Sequence, residues 1–363
     1  MWSMSVFPIN RKKIVFSSFR GRQFSDNPKA IYEGLVKDSD LELVWIANPG
    51  VVPDTVKSVP ENSFKSLYEL ATAGVWIDNC RKKLWIRKRK GQFYIQTWHG
   101  NIAIKKIEAD AVLTPSYVKM AKHDSAMADL FLSGSKWVTN VFKEAFWYDG
   151  EILELGYPRS DILYNDRELT AGKVREFYHL SPDTKLLLYA PTFRNSKDLS
   201  CYHFDYGGML DALHRRWGGE WKILLRLHPN LSKLQNLITF NDRALNGLLY
   251  QEINELIVAC EVLVTDYSSC MFDALEADKK VFIYATDLKA YDAERGCYFS
   301  FDTLPFPLAE TNDQLLKSVE DFDEDAYARE AALFKERVGL YNDGHATERV
   351  VSNIEKKIHG SVS

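Results

Sequence analysis

Cysteine is scarce, and the little there is makes no pattern. Cys80, Cys201, Cys260, Cys270 and Cys297 lie scattered along 363 positions, odd in number, with no CxxC pair and no Cys/His spacing of a zinc site. Most sit beside apolar runs, so reduced core thiols in a reducing compartment are expected. Long apolar runs are missing too. None approaches the roughly 20 residues of a membrane span, and Met1 to Ile9 is too short for a signal-peptide core with its cleavage site. Net charge is small and of the wrong sign for a general nucleic-acid binder, −4 at pH 7 with a pI near 6.1. No repeat of fixed period and no low-complexity tract interrupts the chain. What is present is globular: 46% hydrophobic and 26% charged residues, in a length sufficient for two ordinary domains. A cytoplasmic protein is expected, and its 9 Trp and 18 Tyr leave room for attachment to a membrane surface.

Short apolar runs alternate with helical segments along the whole length. Strands are predicted at Ile14 to Phe19, Leu41 to Ala47, Val75 to Ile77, Phe93 to Thr97, Ala111 to Leu113, Leu130 to Leu132 and Ile152 to Leu155. Asp26-Asn27-Pro28 reads as a helix start. Gly156-Tyr157-Pro158-Arg159-Ser160-Asp161 breaks the series and marks a crossing between domains. A second series follows at Lys185 to Ala190, Lys222 to Leu227, Gly247 to Tyr250, Val262 to Thr265 and Val281 to Ala285. Thr347 to Ile358 carries Val350, Val351, Ile354 and Ile358 at helical spacing, a closing helix. The α/β alternation predicts two doubly wound, Rossmann-like domains facing a central cleft at the carboxyl ends of their sheets. The expected divisions are 1–160, 161–345 and a closing helix over 346–363.

The unusual polar residues fall where such sheets bind ligands, at the carboxyl ends of strands. Thr97 is followed by Trp98-His99-Gly100, Ala190 by Pro191-Thr192-Phe193-Arg194, and Leu225 by Arg226-Leu227-His228-Pro229. Val262 to Val264 runs into Thr265-Asp266-Tyr267-Ser268-Ser269 and then a helix, whose free N–H groups favour an anion. Arg194, Arg226, His228 and the start at Ser268-Ser269 together describe a diphosphate site, with His99 across the cleft as general base. Asp266 suits capping or orientation better than proton transfer.

Five stretches occur in a telling order. They are QTWHG (96–100) with Lys105-Lys106, GYPRSD (156–161), APTFR (190–194), RLHP (226–229) and TDYSS followed by Phe272-Asp273. Together with the opening KIVFSSFRGRQFSDNPKAIYEGL (13–35), they resemble the CDP-glycerol glycerophosphotransferase family over almost the whole chain. The resemblance implies a GT-B fold, CDP-glycerol or CDP-ribitol as donor, and a need for His99 and His228 in catalysis. By motif, the substrate-binding set becomes Gly100, Lys105, Arg159, Arg194, Arg226, Thr265, Asp266, Ser268 and Ser269. The implied reaction transfers glycerol phosphate to a hydroxyl of a polyprenyl-diphosphate-linked saccharide, or of a teichoic acid or capsule-type acceptor, and releases CMP at the inner membrane face. A ribitolphosphotransferase and a nucleotide-sugar glycosyltransferase of the same plan are the alternatives. Gly100-Asn101-Ile102-Ala103-Ile104 stands where many relatives carry Thr-Pro, a departure that bears on donor or acceptor preference.

Two further stretches are weighed by charge. Asp38-Ser39-Asp40 and Asp321 to Asp325 have the DxD spacing of metal-dependent transferases, but neither follows an apolar strand. Solvated surface is expected there, with no catalytic metal and no cofactor. Arg81 to Lys90 carries seven basic residues in ten around Trp85 and Ile86, which fits an anionic membrane surface or an ordinary solvated loop.

Overall fold

A computed structural model describes residues 6–192, 194, 202–227 and 240–359, with the side chains of 292–295 outside that description. The chain divides into two units. The first takes everything up to Asn101, Ile107–Asp161 and the chain from Gly339 on, and the second takes Ile102–Lys106 and Ile162–Val338.

The first unit is built on a seven-stranded parallel sheet: β1 (Asn10–Ser17), β2 (Glu42–Ala47), β3 (Ser58–Pro60), β4 (Ala73–Asp78), β5 (Phe93–Gln96), β6 (Leu130–Ser133) and β7 (Glu151–Glu154). Its spatial order is β3-β2-β1-β4-β5-β6-β7, so the winding reverses between β1 and β4. Burial on both faces explains the near-continuous apolar runs. One face packs Ile14, Phe16 and Ile77 with Ile31 and Leu35 of the helix Asp26–Leu35. The other packs Val15, Trp76 and Tyr94 with Leu70.

The closing helix Ala346–His359 belongs to this unit, where Val350, Ile354 and Ile358 join the first of those cores. It approaches Asp26–Leu35 so closely that a Cβ on Gly34 would lie 2.8 Å from Val351 Cγ2. Asp161 caps it, accepting from the N–H groups of Ala346 (2.9 Å) and Thr347 (2.7 Å). That gives the GYPRSD stretch a local purpose.

The second unit has six parallel strands: β8 (Lys185–Ala190), β9 (Trp221–Leu225), β10 (Ala244–Asn246), β11 (Val262–Thr265), β12 (Lys280–Tyr284) and β13 (Leu308–Ala309). Their order, β10-β9-β8-β11-β12-β13, reverses between β8 and β11. Leu187, Ile223, Val264 and Phe282 form its core with Leu210, Leu213 and Leu315.

Two expected strands differ. Ala111 to Leu113 is irregular, because Val112 stands fully exposed and Pro115 opens the crossover helix Pro115–Met127 just beyond. Gly247 to Tyr250 is not a strand either: β10 ends at Asn246, and the carbonyls of Gly247 and Tyr250 turn to Arg226 instead.

Candidate active site

β5 ends at Gln96 and delivers His99 to the carboxyl edge of the first sheet through Trp98, whose φ is +54°. The left-handed turn is held from several sides. Trp98 stacks on the imidazole, with ring centroids 4.3 Å apart, and its carbonyl accepts from Asn27 Nδ2 at 3.3 Å. His99 Nδ1 lies 2.7 Å from the carbonyl of Asn79, just past β4. A carbonyl only accepts, so Nδ1 carries the proton and Nε2 presents its lone pair. Nε2 meets no partner among the described residues.

Around it runs a net of polar groups. Asp26 accepts from Asn79 Nδ2 (3.2 Å) and pairs with Arg159 (3.2 Å), while Arg159 also donates to the His99 carbonyl (3.1 Å). Asn79 Oδ1 in turn accepts from Phe19 N at 2.8 Å. Burial holds the His99 pKa below its ordinary value, against the opposing pulls of the Asn79 bond and the Asp26 charge. A neutral, oriented imidazole with one free nitrogen is what proton abstraction from a hydroxyl needs.

In the second unit, β11 ends at Thr265 and the helix Cys270–Glu276 begins five residues on. The N–H groups of Ser268 and Ser269 find no acceptor among the described residues, and Ser269 makes no side-chain cap. Both serines are half-buried. Free donors and hydroxyls at a strand-to-helix turn beside the reversal of the sheet form a cradle for a phosphate.

Arg226, just after β9, spends its guanidinium on the carbonyls of Gly247 (2.8 Å), Tyr250 (2.5 Å) and Gln251 (2.9 Å). No carboxylate among the described residues pairs with it, and burial lowers its pKa. The Glu252 charge acts on it without pairing, and the net effect still disfavours the buried cation, so an anion at the same edge would stabilise it.

A model of the CDP-Glycerol:Poly(glycerophosphate) glycerophosphotransferase family matches residues 1–356. The chain belongs to this family. It is 33% identical over 96% of its length to a teichoic acid poly(glycerol phosphate) polymerase from Staphylococcus epidermidis, of which it covers 51%. A teichoic acid glycerol-phosphate transferase from Staphylococcus aureus is 32% identical over 96% of the chain and is covered to 94%. A teichoic acid ribitol-phosphate primase from Bacillus spizizenii is 29% identical, with 96% of this chain and 92% of that protein covered. Among solved structures, a variant of the wall teichoic acid polymerase TagF soaked with CDPG superposes with a TM-score of 0.87 at 31% identity, covering 98% of this chain and 91% of the other. The chain spans about half the length of the curated polymerase it matches.

Within this glycerophosphotransferase family member, several expected site residues take roles the sequence does not reveal. Arg194 is no free cation. It lies between Asp266 (2.9 Å) and Asp287 (2.7 Å), over the rings of Tyr267 and Tyr291, which stack 3.7 Å apart. Burial opposes its charge, yet those carboxylates outweigh it and raise the pKa. Asp266 does not cap the helix. It accepts from Thr192 N at 2.8 Å and holds Arg194, an orienting part. Thr265 is wholly buried, its hydroxyl donated to the Ala190 carbonyl at 2.7 Å, so it ties β11 to β8 and offers nothing to a ligand. Arg159 and Gly100 stand with His99 in the first unit, whereas Lys105 bridges to Cys297 in the second. His228 lies outside the described residues.

The basic segment 81–90 is not a cationic stripe. Arg81 is buried between Glu108 (2.9 Å) and Asp124 (3.3 Å), Lys82 pairs with Asp78 (2.6 Å), Lys83 with Glu61 (3.4 Å) and Lys88 with Asp129. Four of its seven charges are thus offset locally, which removes most of what a lipid surface would attract. Asp40 and Asp321 pair with Lys12 and Lys317, each at 3.0 Å.

Asn79, Asp26, Asn27 and Asp287 were not among the residues the sequence singled out for chemistry. Asp26-Asn27 read only as a helix start. Asn79 meets His99 through a main-chain oxygen, for which no residue type is a signal, while its side-chain amide ties in Asp26 and Phe19. No helix among the described residues is long and apolar enough to cross a membrane.

Proposed function

We propose that the chain transfers glycerol phosphate from CDP-glycerol to a hydroxyl of a teichoic acid-type acceptor and releases CMP. The observation that carries this reading is the oriented, neutral imidazole of His99, set in a chain that a glycerophosphotransferase family model matches over 1–356. The acceptor oxygen attacks the glycerol-bearing phosphorus and its proton passes to His99 Nε2. The bond from that phosphorus to the bridging oxygen breaks, and CMP departs with the oxygen and its electron pair. Positioning and charge stabilisation supply most of the acceleration in such a transfer.

The second unit binds the CDP-alcohol. Its diphosphate sits on the free N–H groups of Ser268 and Ser269, with Arg226 and His228 offsetting charge. Arg194 acts from behind, by holding Asp266 and Tyr267 at the turn. The first unit takes the acceptor, a polyprenyl-diphosphate-linked saccharide or growing chain presented at the cytoplasmic membrane face. No metal or cofactor enters the reaction. A ribitol donor is the second reading, favoured by the likeness to a ribitol-phosphate primase.

Incubation with CDP-glycerol and CDP-ribitol separately, beside a lipid-linked acceptor, tests the proposal. CMP and a new phosphodiester are expected with CDP-glycerol, and the His99→Ala variant should form little of either. Release of a nucleoside diphosphate with a glycosidic bond, or full turnover without the imidazole, would overturn it.

A further inference from the structure

We propose that a small pocket in the first unit, lined by Arg20, binds a phosphodiester of the acceptor on the segments that carry the His99 base. The inference deepens the function proposed above and rests on it for the word acceptor, though not for the ligand chemistry.

The pocket opens where the first sheet reverses its winding, between Ser17 at the end of β1 and Asp78 at the end of β4. That is where open α/β sheets take ligands. Its volume is about 50 Å³, space for roughly four waters or the head of one phosphate. Asn62, Lys82 and Lys83 line it beside Arg20, as do the carboxylates Glu61 and Asp78, and Trp85, half exposed, stands at its side.

Arg20 is the unusual member. Phe19, Arg20 and Gly21 have φ of +46°, +58° and +73°, three successive left-handed residues of which only the last is glycine. Such strain persists only where the surroundings enforce it, and it gathers at functional sites. Here Asn79 Oδ1 holds the Phe19 N–H, and Ala47 Cα would lie 3.1 Å from a Cβ on Gly21, so neither end can relax. The turn leaves Arg20 exposed on the pocket's lining, with no carboxylate partner among the described residues.

Charge pairing narrows the choice of ligand. Lys82 is answered by Asp78 and Lys83 by Glu61, while Arg81 faces both Glu108 and Asp124. Arg20 supplies the accessible positive charge. The carboxylates Glu61, Asp78, Glu108 and Asp124 balance the four cations in number, so the pocket offers an anion the unpaired donors of Arg20 rather than a net charge, and a singly charged phosphodiester is easier to bring beside Glu61 and Asp78 than a doubly charged phosphomonoester. The indole of Trp85 offers a flat apolar face to the CH groups of the flanking polyol. The same two segments carry the base: Asn79, next to Asp78, orients His99, and Phe19, next to Arg20, has its ring 5.6 Å from the imidazole. Pocket and base are thus carried by the same two segments, which is what assigns the diester to the acceptor.

Calorimetric titration with glycerophosphoglycerol, a soluble diester, against wild type, Arg20→Gln and Arg20→Lys tests the pocket apart from turnover. Arg20→Gln should weaken binding about tenfold, and Arg20→Lys should restore most of it. Inorganic phosphate binding as tightly as the diester, or a diester affinity indifferent to Arg20→Gln, would overturn the proposal. In CMP-release assays the KM increase in Arg20→Gln should be several-fold larger for an acceptor bearing the diester than for the same alcohol without it, and an equal effect on both counts against it. Phosphatidylglycerol vesicles separate the sources: vesicle binding that needs Arg20, without binding of the soluble diester, would assign the pocket to a lipid headgroup and overturn the acceptor assignment. Diester binding in a protein that makes no CMP would leave the pocket standing and sink the transferase.

Discussion

His99 shows how a residue's chemistry is set by atoms that are not its own. Its Nδ1 proton is fixed by a backbone carbonyl, and its neutrality by burial, so the free nitrogen faces a substrate unprotonated. Because the pKa is lowered, the neutral form persists down to pH values below the ordinary 6.5. The rate of CMP formation should therefore rise with pH through an apparent pKa under that value and then level off. Replacing His99 by Ala should cost about 10² to 10⁴ in turnover, the usual worth of general base catalysis. Asp26 gives a signed test. Its charge favours the imidazolium, so Asp26→Asn should move the acid limb of the pH profile to lower pH, and a limb that moves up would contradict the assignment. His99 was legible in the sequence because it follows an apolar strand directly. Its supports were not: Asn79 works through its main chain, and Asp26 reaches the site only once β1, β4 and β5 lie side by side.

At the scale of elements, the phosphate cradle depends on the clamp behind it. Arg194 joins the end of β8 to the turn after β11 through Asp266, and to the helix Leu288–Arg295 through Asp287 at the residue just before it. Arg194→Met removes one cation from between two carboxylates in a largely buried place. Breaking such a pair usually costs about 3–5 kcal/mol, since the stranded charges have no water to turn to. A urea melt of the second unit should register a loss of that order, with a raised KM for the donor. A change below about 1 kcal/mol would mean that solvent already screens the clamp. The sequence offered Arg194 as a phosphate ligand because its partner Asp287 lies far along the chain. Strand legibility followed burial. β8 and β11, central and apolar but for Lys185 and Thr265 at their ends, are legible to the residue, whereas β3 and β13 are not, being edge strands of three and two residues beside prolines. The expected strand at 111–113 failed for the converse reason, being apolar in sequence but unpaired and exposed at Val112.

For the whole molecule, the two-series reading corresponds to two sheets, each with its own hydrophobic core and its own reversal of winding. The chain's last segment is the exception to simple succession, since it leaves the second unit at Val338 and completes the first. Val350, Ile354 and Ile358 are each at least nine-tenths buried there, and each such side chain contributes about 1.5–3 kcal/mol. Their sum rivals the roughly 5–15 kcal/mol that holds an ordinary domain folded. Removing the chain from Gly339 on should consequently unfold the first unit while sparing the second, although the cut lies beyond β13. Hydrogen exchange read by mass spectrometry would separate the two. Protection should vanish across β1 to β7 and survive in β8, β9, β11 and β12. Loss confined to the second sheet, or equal loss in both, would show that the final helix does not serve the unit whose core it fills.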